Sequence, residues 1–309
     1  MERLEKIPVP VLPAFVGAMT LSNVYNGMGF TAVRHITMAA ATVVLLLYIV
    51  KLVKFPSTFL KEYKSTVPCS LYSAFDMMLM ILGSYYHGYF PLFGKILWFL
   101  GLGIHMIHIP VFTYRNVIRD RKADTFLPSW FVTYNGIMVS CVVGNAMEAD
   151  GLLKIIVYYG IIIYFVLIPL LMFHLLKQEV KDSVYHTLAV VLAPCSLCVV
   201  SYLNVISQPR QGLLYLLYGC VLASLLFVIL KLPKFFSYSF TPGFAGLTFP
   251  MAIGIVASQK MAGYFTAMGN EKLGHLVGQI SGIQIYLTTM IIGYVFINFV
   301  IMAMKLERK

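Results

Sequence analysis

Asp76 is the side chain of this sequence whose surroundings most strongly suggest chemistry. It is the only carboxylate that we place well inside an apolar segment. Inserting an ionised carboxylate at the centre of a membrane helix costs about 2.5–3.5 kcal/mol, so the group needs a partner or a proton. Asp76 could be a structural hydrogen-bond anchor, a proton-coupling site or a switch that gates a passage. The sequence leaves these three interpretations open.

Two histidines and two cysteines have a spacing that is typical of metal ligands. His105 and His108 stand one helical turn apart in GIHMIHIP, and Cys195 and Cys198 form a CxxC pair. An intramembrane metalloenzyme would need a nucleophile or base beside the histidines, and no third ligand stands out. We favour hydrogen-bonded core histidines and cysteines that pack helix against helix. The sequence predicts no cofactor, no metal and no enzyme activity, with the metalloenzyme as the less favoured hypothesis.

The composition places these side chains in a membrane protein. Hydrophobic residues make up 60% of the 309 residues, charged residues make up 11%, and the mean hydropathy is +0.83. A soluble domain has about 25% charged residues. No large polar block separates the apolar runs, so we predict a single integral membrane domain over residues 1–309. The N-terminus lacks the pattern of a signal peptide, and we expect the first span to target the chain.

Ten apolar segments have the length of transmembrane helices. We predict spans at roughly 7–28, 34–54, 67–87, 92–114, 126–146, 151–175, 185–206, 211–231, 240–259 and 273–304. With these bounds, 17 of the 23 Lys and Arg residues fall on the side of the two termini and 6 fall on the other side. This bias predicts that both termini are cytosolic, and it explains the net charge of +11 without nucleic acid as a partner.

A proline recurs at near-regular intervals along the chain. Pro13, Pro68, Pro128, Pro194 and Pro250 are separated by 55, 60, 66 and 56 residues, with one in each odd-numbered span. The tetrapeptide Pro-Cys-Ser-Leu occurs at the second and the fourth of these sites. The pattern predicts an internal repeat of about sixty residues, in which each repeat forms one helical hairpin.

Pro194 and Pro250 lie deepest in their predicted spans. Proline cannot donate a backbone hydrogen bond, so we expect the carbonyls of Val190 and Gly246 to be left free, and both helices to bend or to admit water there. The other three prolines lie less deep, where proline is tolerated better.

The odd-numbered spans carry most of the small and polar residues. Asn23, Asn135, Ser196 and Gly246 all belong to odd spans, whereas the sixth span reads IIVYYGIIIYFVLIPLLMF. Polar side chains in a bilayer avoid lipid and face a protein interior or a watery cavity. We therefore predict that five odd helices surround a central passage and that five even helices face lipid.

Several stretches of the sequence resemble a known family of transporters and channels. LTFPMAIG in the ninth span, LAPCSLCVVSYL in the seventh, FLPSWF in the fifth and IPLLMFHLL in the sixth are similar to the tellurite-resistance/dicarboxylate transporter family. That family includes bacterial TehA proteins, fungal malate permeases and sulfite pumps, and plant slow-type anion channels. The resemblance extends over the whole chain. It implies an all-α membrane fold of five helical hairpins in quasi-fivefold arrangement around a pore, and a homotrimer with one pore per protomer.

The resemblance also implies that a phenylalanine of the ninth span occludes the pore. Phe249 is the matching residue, in Thr248-Phe249-Pro250. Bacterial TehA relatives often have glycine where this sequence has Pro250. Without the resemblance, Phe249 would be interpreted as packed core. No Lys or Arg lies within the odd spans, apart from Lys6 and Lys260 near two of their ends, so selectivity would come from hydroxyls, amides and helix-end dipoles.

Together, these observations predict an anion-selective channel or transporter for small inorganic or organic anions. Its gate is Phe249, and the other pore-lining or helix-kink candidates are Pro13, Phe15, Pro68, Asp76, Pro128, Asn135, Pro194, Ser196, Gly246 and Pro250. The alternative is a proton-coupled carrier of dicarboxylates or oxyanions, of the malate, sulfite or tellurite type, that uses Asp76. The short tails favour a prokaryotic protein of the inner cell membrane.

Overall fold

The chain is almost entirely helical. A computed structural model describes residues 2–120 and 125–307, with the side chains of residues 4–120 and 125–305. Helix accounts for 86% of the structure, and these described stretches contain no β-strand. A chain this apolar forms helices in a bilayer because each backbone N–H and C=O has to be bonded within its own segment. The predicted all-α class is confirmed.

The helices follow one another with short connections. In chain order they are α1 (Glu2–Glu5), α2 (Val11–Gly27), α3 (Thr31–Lys54), α4 (Pro56–Lys64), α5 (Thr66–Leu71), α6 (Ser73–His87), α7 (Pro91–Phe112), α8 (Trp130–Tyr134), α9 (Val139–Val143), α10 (Asp150–Lys177), α11 (Leu192–Val205), α12 (Gln211–Ser237), α13 (Thr248–Ala267) and α14 (Glu271–Glu307). Segments of 3₁₀-helix cover Gly136–Met138, Asp182–Val191 and Pro242–Leu247, and a π-helical segment, Thr113–Arg119, extends α7. Residues 121–124, in the basic loop after the fourth predicted span, lie outside the described residues.

Seven helical stretches within the described residues are long and apolar enough to cross a membrane. They are Thr31–Lys54, Thr66–His87, Pro91–Arg119, Asp150–Lys177, Asp182–Val205, Gln211–Ser237 and Glu271–Lys305. These match the second, third, fourth, sixth, seventh, eighth and tenth predicted spans. The first, fifth and ninth predicted spans coincide with α2, with the interrupted stretch from α8 to α9, and with the 3₁₀-helix that leads into α13. Those three are helical but are not among the seven, so ten crossings stay a prediction.

The seven stretches divide into a buried set and an exposed set. In Thr66–His87 and Asp182–Val205, 78% and 83% of the most apolar window is buried, whereas the other five are 22% to 33% buried. The two buried stretches are odd-numbered predicted spans, and the five exposed ones are even-numbered. Large apolar side chains such as Leu46, Ile107 and Leu176 cover the exposed helices, which suits contact with lipid.

The inner helices contact one another in a closed order. Helix α2 contacts α6, α6 contacts α9, α9 contacts α11, α11 contacts α13, and α13 returns to α2. Each inner helix also packs against the helix that follows it, namely α2 on α3, α6 on α7, α9 on α10, α11 on α12 and α13 on α14. The contacts thus form a closed sequence among α2, α6, α9, α11 and α13, and most buried residues of these helices belong to one hydrophobic core.

Four of the five repeated prolines occupy the same position in their helices. Pro13, Pro68, Pro194 and Pro250 are the third residues of α2, α5, α11 and α13. Pro128 lies in the turn two residues before α8. The first N–H groups of a helix have no partner within the helix, so proline removes no intrahelical hydrogen bond there. The repeat that the prolines indicate is thus a repeat of helix starts.

The expectation that Pro194 and Pro250 bend the middle of their helices is wrong. Helix α11 begins only at Leu192 and α13 only at Thr248, because the residues before them form 3₁₀-helices. Each proline therefore falls in the first turn of an α-helix, where its missing N–H breaks no hydrogen bond. These two prolines mark a change from 3₁₀ to α geometry.

Glycines allow α6 and α7 to approach closely. A Cβ on Gly94 would lie 2.2 Å from the backbone nitrogen of His87, and one on Gly101 would lie 2.8 Å from the carbonyl oxygen of Asp76. No side chain fits in such a contact, so glycine is required at both positions. The close approach turns the side chain of Asp76 towards α7.

Candidate functional site

A cavity between the inner helices, which we call the vestibule, has a volume of about 180 Å³. It lies towards the end of the molecule opposite the termini, where α2, α6 and α9 finish. Its lining residues come from α2, α6, α9 and α13, and they are Thr20, Asn23, Val24, Ile81, Val139, Val142, Val143, Phe249, Ile253, Val256 and Gln259. Roughly 10–15 Å³ suffices for one water, so the vestibule has room for several.

The second cavity, which we call the inner cavity, has a volume of only about 30 Å³. All five odd-numbered predicted spans contribute to it, through Pro13, Val16, Leu71, Ala74, Met77, Phe131, Val132, Gly136, Val190, Ala193, Leu197, Ala245, Gly246, Phe249 and Pro250. Every one of these side chains is apolar. A space of this size and lining holds one or two waters at most and offers them no side-chain partner.

Phe249 lies between the two cavities. Among the described residues it is the only one that lines both, and its side chain is 7% exposed. The hydroxyl of Thr248 lies 3.1 Å from the carbonyl oxygen of Pro13 and 2.8 Å from that of Ala245, which ties the start of α13 to α2. On the facing side, Gly17 packs directly against the Thr248–Phe249 backbone. These contacts fix the backbone at the start of α13, from which the Phe249 ring projects.

The vestibule is the more polar of the two spaces. Thr20, Asn23 and Gln259 supply its polar side chains, and no residue that lines either cavity is charged. An ion in the vestibule would therefore meet amides and a hydroxyl, with no opposite charge to hold it tightly. An ion in the inner cavity would meet hydrocarbon.

The structure brings four of the predicted site residues together and places several others elsewhere. Phe249, Pro13, Gly246 and Pro250 all line the inner cavity. Phe15 instead points away and makes an edge-to-face contact with Phe296 of α14, with ring centroids 4.9 Å apart.

The three remaining prolines stay out of both linings. Pro194 is buried within α11, and its neighbour Ala193 reaches the inner cavity in its place. Pro68 is half-buried in the first turn of α5, and Pro128 is buried in the turn before α8.

The two predicted polar candidates of the fifth and seventh spans bond to helix backbone. Asn135 lies at the break between α8 and the following 3₁₀-helix, where its Nδ2 donates to the carbonyl of Gly160 on α10 at 2.9 Å. The hydroxyl of Ser196 donates to the carbonyl of Leu192 one turn earlier, at 2.6 Å. Neither side chain lines a cavity, so both serve packing in this structure.

Asp76 faces α7 and lies outside both linings. It is 2% exposed, and its Oδ2 lies 3.7 Å from Nδ1 of His105. The Nε2 of His105 lies 2.8 Å from the carbonyl oxygen of Thr133. A carbonyl can only accept, so Nε2 carries a hydrogen, and in a neutral ring Nδ1 then presents a lone pair to the carboxylate. At this distance the two atoms are not hydrogen-bonded, and neither Oδ2 of Asp76 nor Nδ1 of His105 has a hydrogen-bond partner among the described residues.

Neither predicted pair of possible metal ligands, the two histidines or the two cysteines, belongs to a larger cluster of ligands within the described residues. His108 lies 3.4 Å from the hydroxyl of Tyr63 through Nδ1, and both Cys195 and Cys198 are buried with free thiols. Within residues 2–120 and 125–307, no group of three or more His, Cys, Asp or Glu side chains could hold a metal ion.

Several lining residues carry no signal in the sequence. Val142, Val143 and Ile253 are apolar residues in apolar helices, and nothing separates them from packed core until the helices are assembled. Gln259, just past the middle of α13, was equally unmarked. A helical-wheel comparison of the odd spans with one another is the one signal that could have found them.

A comparison with known proteins finds a family match over nearly the whole chain. The sequence pattern of the SLAC1 family, described as voltage-dependent anion channel, matches residues 12–305. No curated protein matches the chain. The family includes TehA-like members, and its members are channels and transporters of anions. Because the match covers nearly the whole sequence, this membrane protein belongs to the voltage-dependent anion channel family.

Proposed function

We propose that the protein is a gated anion channel, whose conduit runs between the five inner helices and is closed by the ring of Phe249. One observation carries the proposal: the vestibule and the inner cavity are both lined by odd-numbered segments alone, and Phe249 stands between them. In this proposal, movement of the Phe249 ring opens the route from one space to the other.

The chemistry of the two cavities suits a gate that works by excluding water. An anion in the vestibule can keep part of its hydration shell. To enter the inner cavity it would have to shed water and gain no polar partner, which is strongly unfavourable. Hydrophobic constrictions close channels in this way.

The absence of charge from the lining residues suits conduction. A fixed cation in the conduit would attract an anion but would also hold it, whereas throughput needs weak binding. Weak attraction is available from the amide of Asn23 and from the N-terminus of α13, since a helix N-terminus carries about half a positive charge. Small inorganic anions and small organic anions both fit this description.

The architecture that we propose around the conduit has ten spans in a single membrane domain over residues 1–309, with both termini in the cytosol of a prokaryotic cell. The closed order of contacts among the inner helices supports a quasi-fivefold arrangement of hairpins. Helix α2 has 17 residues, about 26 Å at 1.5 Å per residue, which is close to the thickness of a thin hydrocarbon core. The apolar outer helices offer surface for lipid and for assembly as a homotrimer.

Replacement of Phe249 by alanine tests the proposal. In planar bilayers, Phe249→Ala should raise anion current by about an order of magnitude, which corresponds to a barrier about 1.4 kcal/mol lower. Phe249→Leu should give an intermediate current. Phe265→Ala is the matched control, because Phe265 lies on the same helix with 8% exposure and stacks on Tyr215, away from both cavities. Equal currents from the Phe249→Ala and Phe265→Ala proteins would refute the gate.

A proton-coupled carrier of dicarboxylates or oxyanions is the second candidate, because Asp76 is a buried carboxyl whose Oδ2 lies 3.7 Å from Nδ1 of His105, and two such neighbouring titratable groups are candidates for binding and releasing a proton. Met77, the next residue along the chain, lines the inner cavity, so the pair lies directly behind the conduit wall. Asp76→Asn keeps the shape and can donate to Nδ1, but it cannot exchange the proton. Uptake that is driven by a pH gradient and lost in Asp76→Asn would favour the carrier. Flux that ignores the gradient in both proteins would remove it.

A further inference from the structure

Asn23 is a polar side chain of the vestibule whose orientation is fixed by its neighbour. Its Oδ1 accepts a hydrogen bond from Nε of Arg34 at 2.8 Å. A guanidinium only donates, so the amide atom that faces it must be the oxygen. The amide nitrogen of Asn23 keeps both N–H donors, and within the described residues it has no hydrogen bond to another protein atom. Those donors are what an anion requires.

Arg34 brings a positive charge to the same place. It lies near the start of α3, is half-buried, and its guanidinium lies 5.1 Å from the centroid of the Tyr85 ring. In the part of the chain that the structure describes, no carboxylate lies within 4 Å of this guanidinium. The charge of Arg34 is therefore not neutralised by a salt bridge.

Glu148, in the connection between α9 and α10, is an acidic side chain at this end of the molecule, and it already forms a salt bridge. Lys95 donates to Glu148 at 2.6 Å, and this hydrogen bond lowers the pKa of Glu148. Thr20, one turn before Asn23, donates its hydroxyl hydrogen to the carbonyl of Val16 at 2.8 Å, so it presents lone pairs to the vestibule. Of the two amides that line the vestibule, Asn23 and Gln259, Asn23 is the one whose oxygen is bonded to a guanidinium in the described structure, and this bond leaves its N–H groups as the free donors.

We propose that Asn23 and Arg34 form the first anion-binding position of the conduit. Arg34 concentrates small anions at the mouth through its charge and holds the Asn23 amide so that its N–H groups point at the arriving ion. This inference rests on the proposed channel function and assigns anion recruitment to two residues, one of which lies outside the cavity lining. Because one amide and one screened charge bind weakly, the position loads an ion without trapping it.

Measurements of channel current test whether Arg34 and Asn23 recruit anions. On the Phe249→Ala background, Arg34→Gln and Asn23→Leu should each lower anion current by about threefold to tenfold at low ionic strength. The loss in Arg34→Gln should shrink in high salt, since the Debye length falls to about 3 Å at 1 M. Lys272→Gln is the matched control: it removes one exposed basic residue at the same end, at the start of α14, and should leave the current unchanged.

Two more substitutions separate charge from orientation. Arg34→Lys keeps the charge but lacks the planar fork that fixes the amide, so it should retain the salt dependence with a smaller current. Asn23→Asp replaces the donors with a carboxylate that pairs with Arg34, and it should lower the current below that of Asn23→Leu. Currents in Arg34→Gln and Asn23→Leu that equal those of the Lys272→Gln control would overturn the proposal and leave the channel function standing.

A binding measurement keeps the proposal independent of conduction. Chloride-35 NMR of the detergent-solubilised protein should show excess line broadening, and more than half of it should disappear in Arg34→Gln and in Asn23→Leu, with Lys272→Gln unchanged. Unchanged broadening in both variants would refute the site even if the protein carried no current. Loss of broadening together with a silent Phe249→Ala protein would support the site and refute the channel.

Discussion

Gly17 of α2 lies against the backbone of Phe249, so that a Cβ at position 17 would come within 2.7 Å of the Phe249 nitrogen. The same Cβ would lie 2.7 Å from the carbonyl carbon and from the Cβ of Thr248. The crowded atoms are mostly backbone, which cannot yield as the tip of a flexible side chain can. The position of the Phe249 ring therefore depends on the absence of a side chain on the neighbouring helix.

The first prediction is that Gly17→Ala displaces Phe249 and makes the channel leak. The added methyl forces α2 and α13 apart, which should cost about 1–3 kcal/mol of stability and raise the resting anion current. Gly27→Ala is the matched control, because Gly27 ends the same helix and a Cβ there meets no atom within 4 Å. Bilayer currents and melting temperatures in detergent measure both effects. A Gly17→Ala protein with the same low resting current as the Gly27→Ala protein would contradict the proposed dependence of Phe249 on Gly17.

The second prediction concerns the hydroxyl of Thr248. Thr248→Val keeps the shape but loses the one hydroxyl hydrogen that lies between the carbonyls of Ala245 and Pro13, and it should cost about 1 kcal/mol of stability. Because this hydroxyl ties the first turn of α13 to α2, we also expect a raised resting current. Thr248→Ser retains the hydroxyl and should stay closed. The idea fails if the serine and valine proteins have the same current and the same melting temperature.

The arrangement of helices was largely predictable from the sequence, for a physical reason. In a bilayer, polar and small residues must face protein, so their uneven distribution separates inner from outer helices. The high burial of Thr66–His87 and Asp182–Val205 follows that pattern. The recurring prolines likewise indicated a repeat, since helix starts tolerate proline wherever they occur.

The geometry around the conduit was less predictable. Pro250 was expected to kink a continuous helix, but the sequence does not say where 3₁₀ geometry ends, and α13 begins only at Thr248. Asp76 was placed among the pore candidates because a buried carboxylate in an odd span suggests a polar lining. It faces His105 instead, because the direction of one side chain depends on how α6 packs against α7. Such packing is a property of the assembled helices.

The third prediction concerns a partly buried ion pair at the end of the molecule that holds the termini. Nζ of Lys51, which is fully buried, donates to the two carboxylate oxygens of Glu62 at 2.8 and 3.0 Å and to the carbonyl of Ile7 at 2.8 Å. Tyr72 donates to the same carboxylate. The pair anchors α4 to α3 and to the N-terminal segment.

Removing one partner of this pair should destabilise the protein strongly. Lys51→Met leaves the carboxylate of Glu62 without its cation and should cost about 3 kcal/mol, whereas Lys51→Met combined with Glu62→Leu should recover part of that loss. Lys61→Met removes an exposed lysine of α4 and should change stability by less than about 0.5 kcal/mol. Melting temperatures in one detergent rank the four proteins. A double variant less stable than Lys51→Met would contradict the account.

The fourth prediction is that Phe249 controls access from the vestibule to the inner cavity. Val143 lines the vestibule and Met77 lines the inner cavity, so cysteines at these positions report on the two sides of the ring. The native cysteines are buried except for half-buried Cys220, which makes Cys220→Ala a suitable background. A water-soluble thiol reagent that enters from the vestibule should modify Val143→Cys at once and leave Met77→Cys unreacted.

Replacing Phe249 by alanine should change only the reactivity of the cysteine at position 77. With Phe249→Ala added, the cysteine at position 77 should become reactive because water and reagent can pass from the wide space into the narrow one. The cysteine at position 143 should react at the same rate as before, and it thereby serves as the internal control for folding and exposure. Modification at position 77 that proceeds equally fast with Phe249 in place would mean that the reagent takes another route, and that the ring is not the barrier.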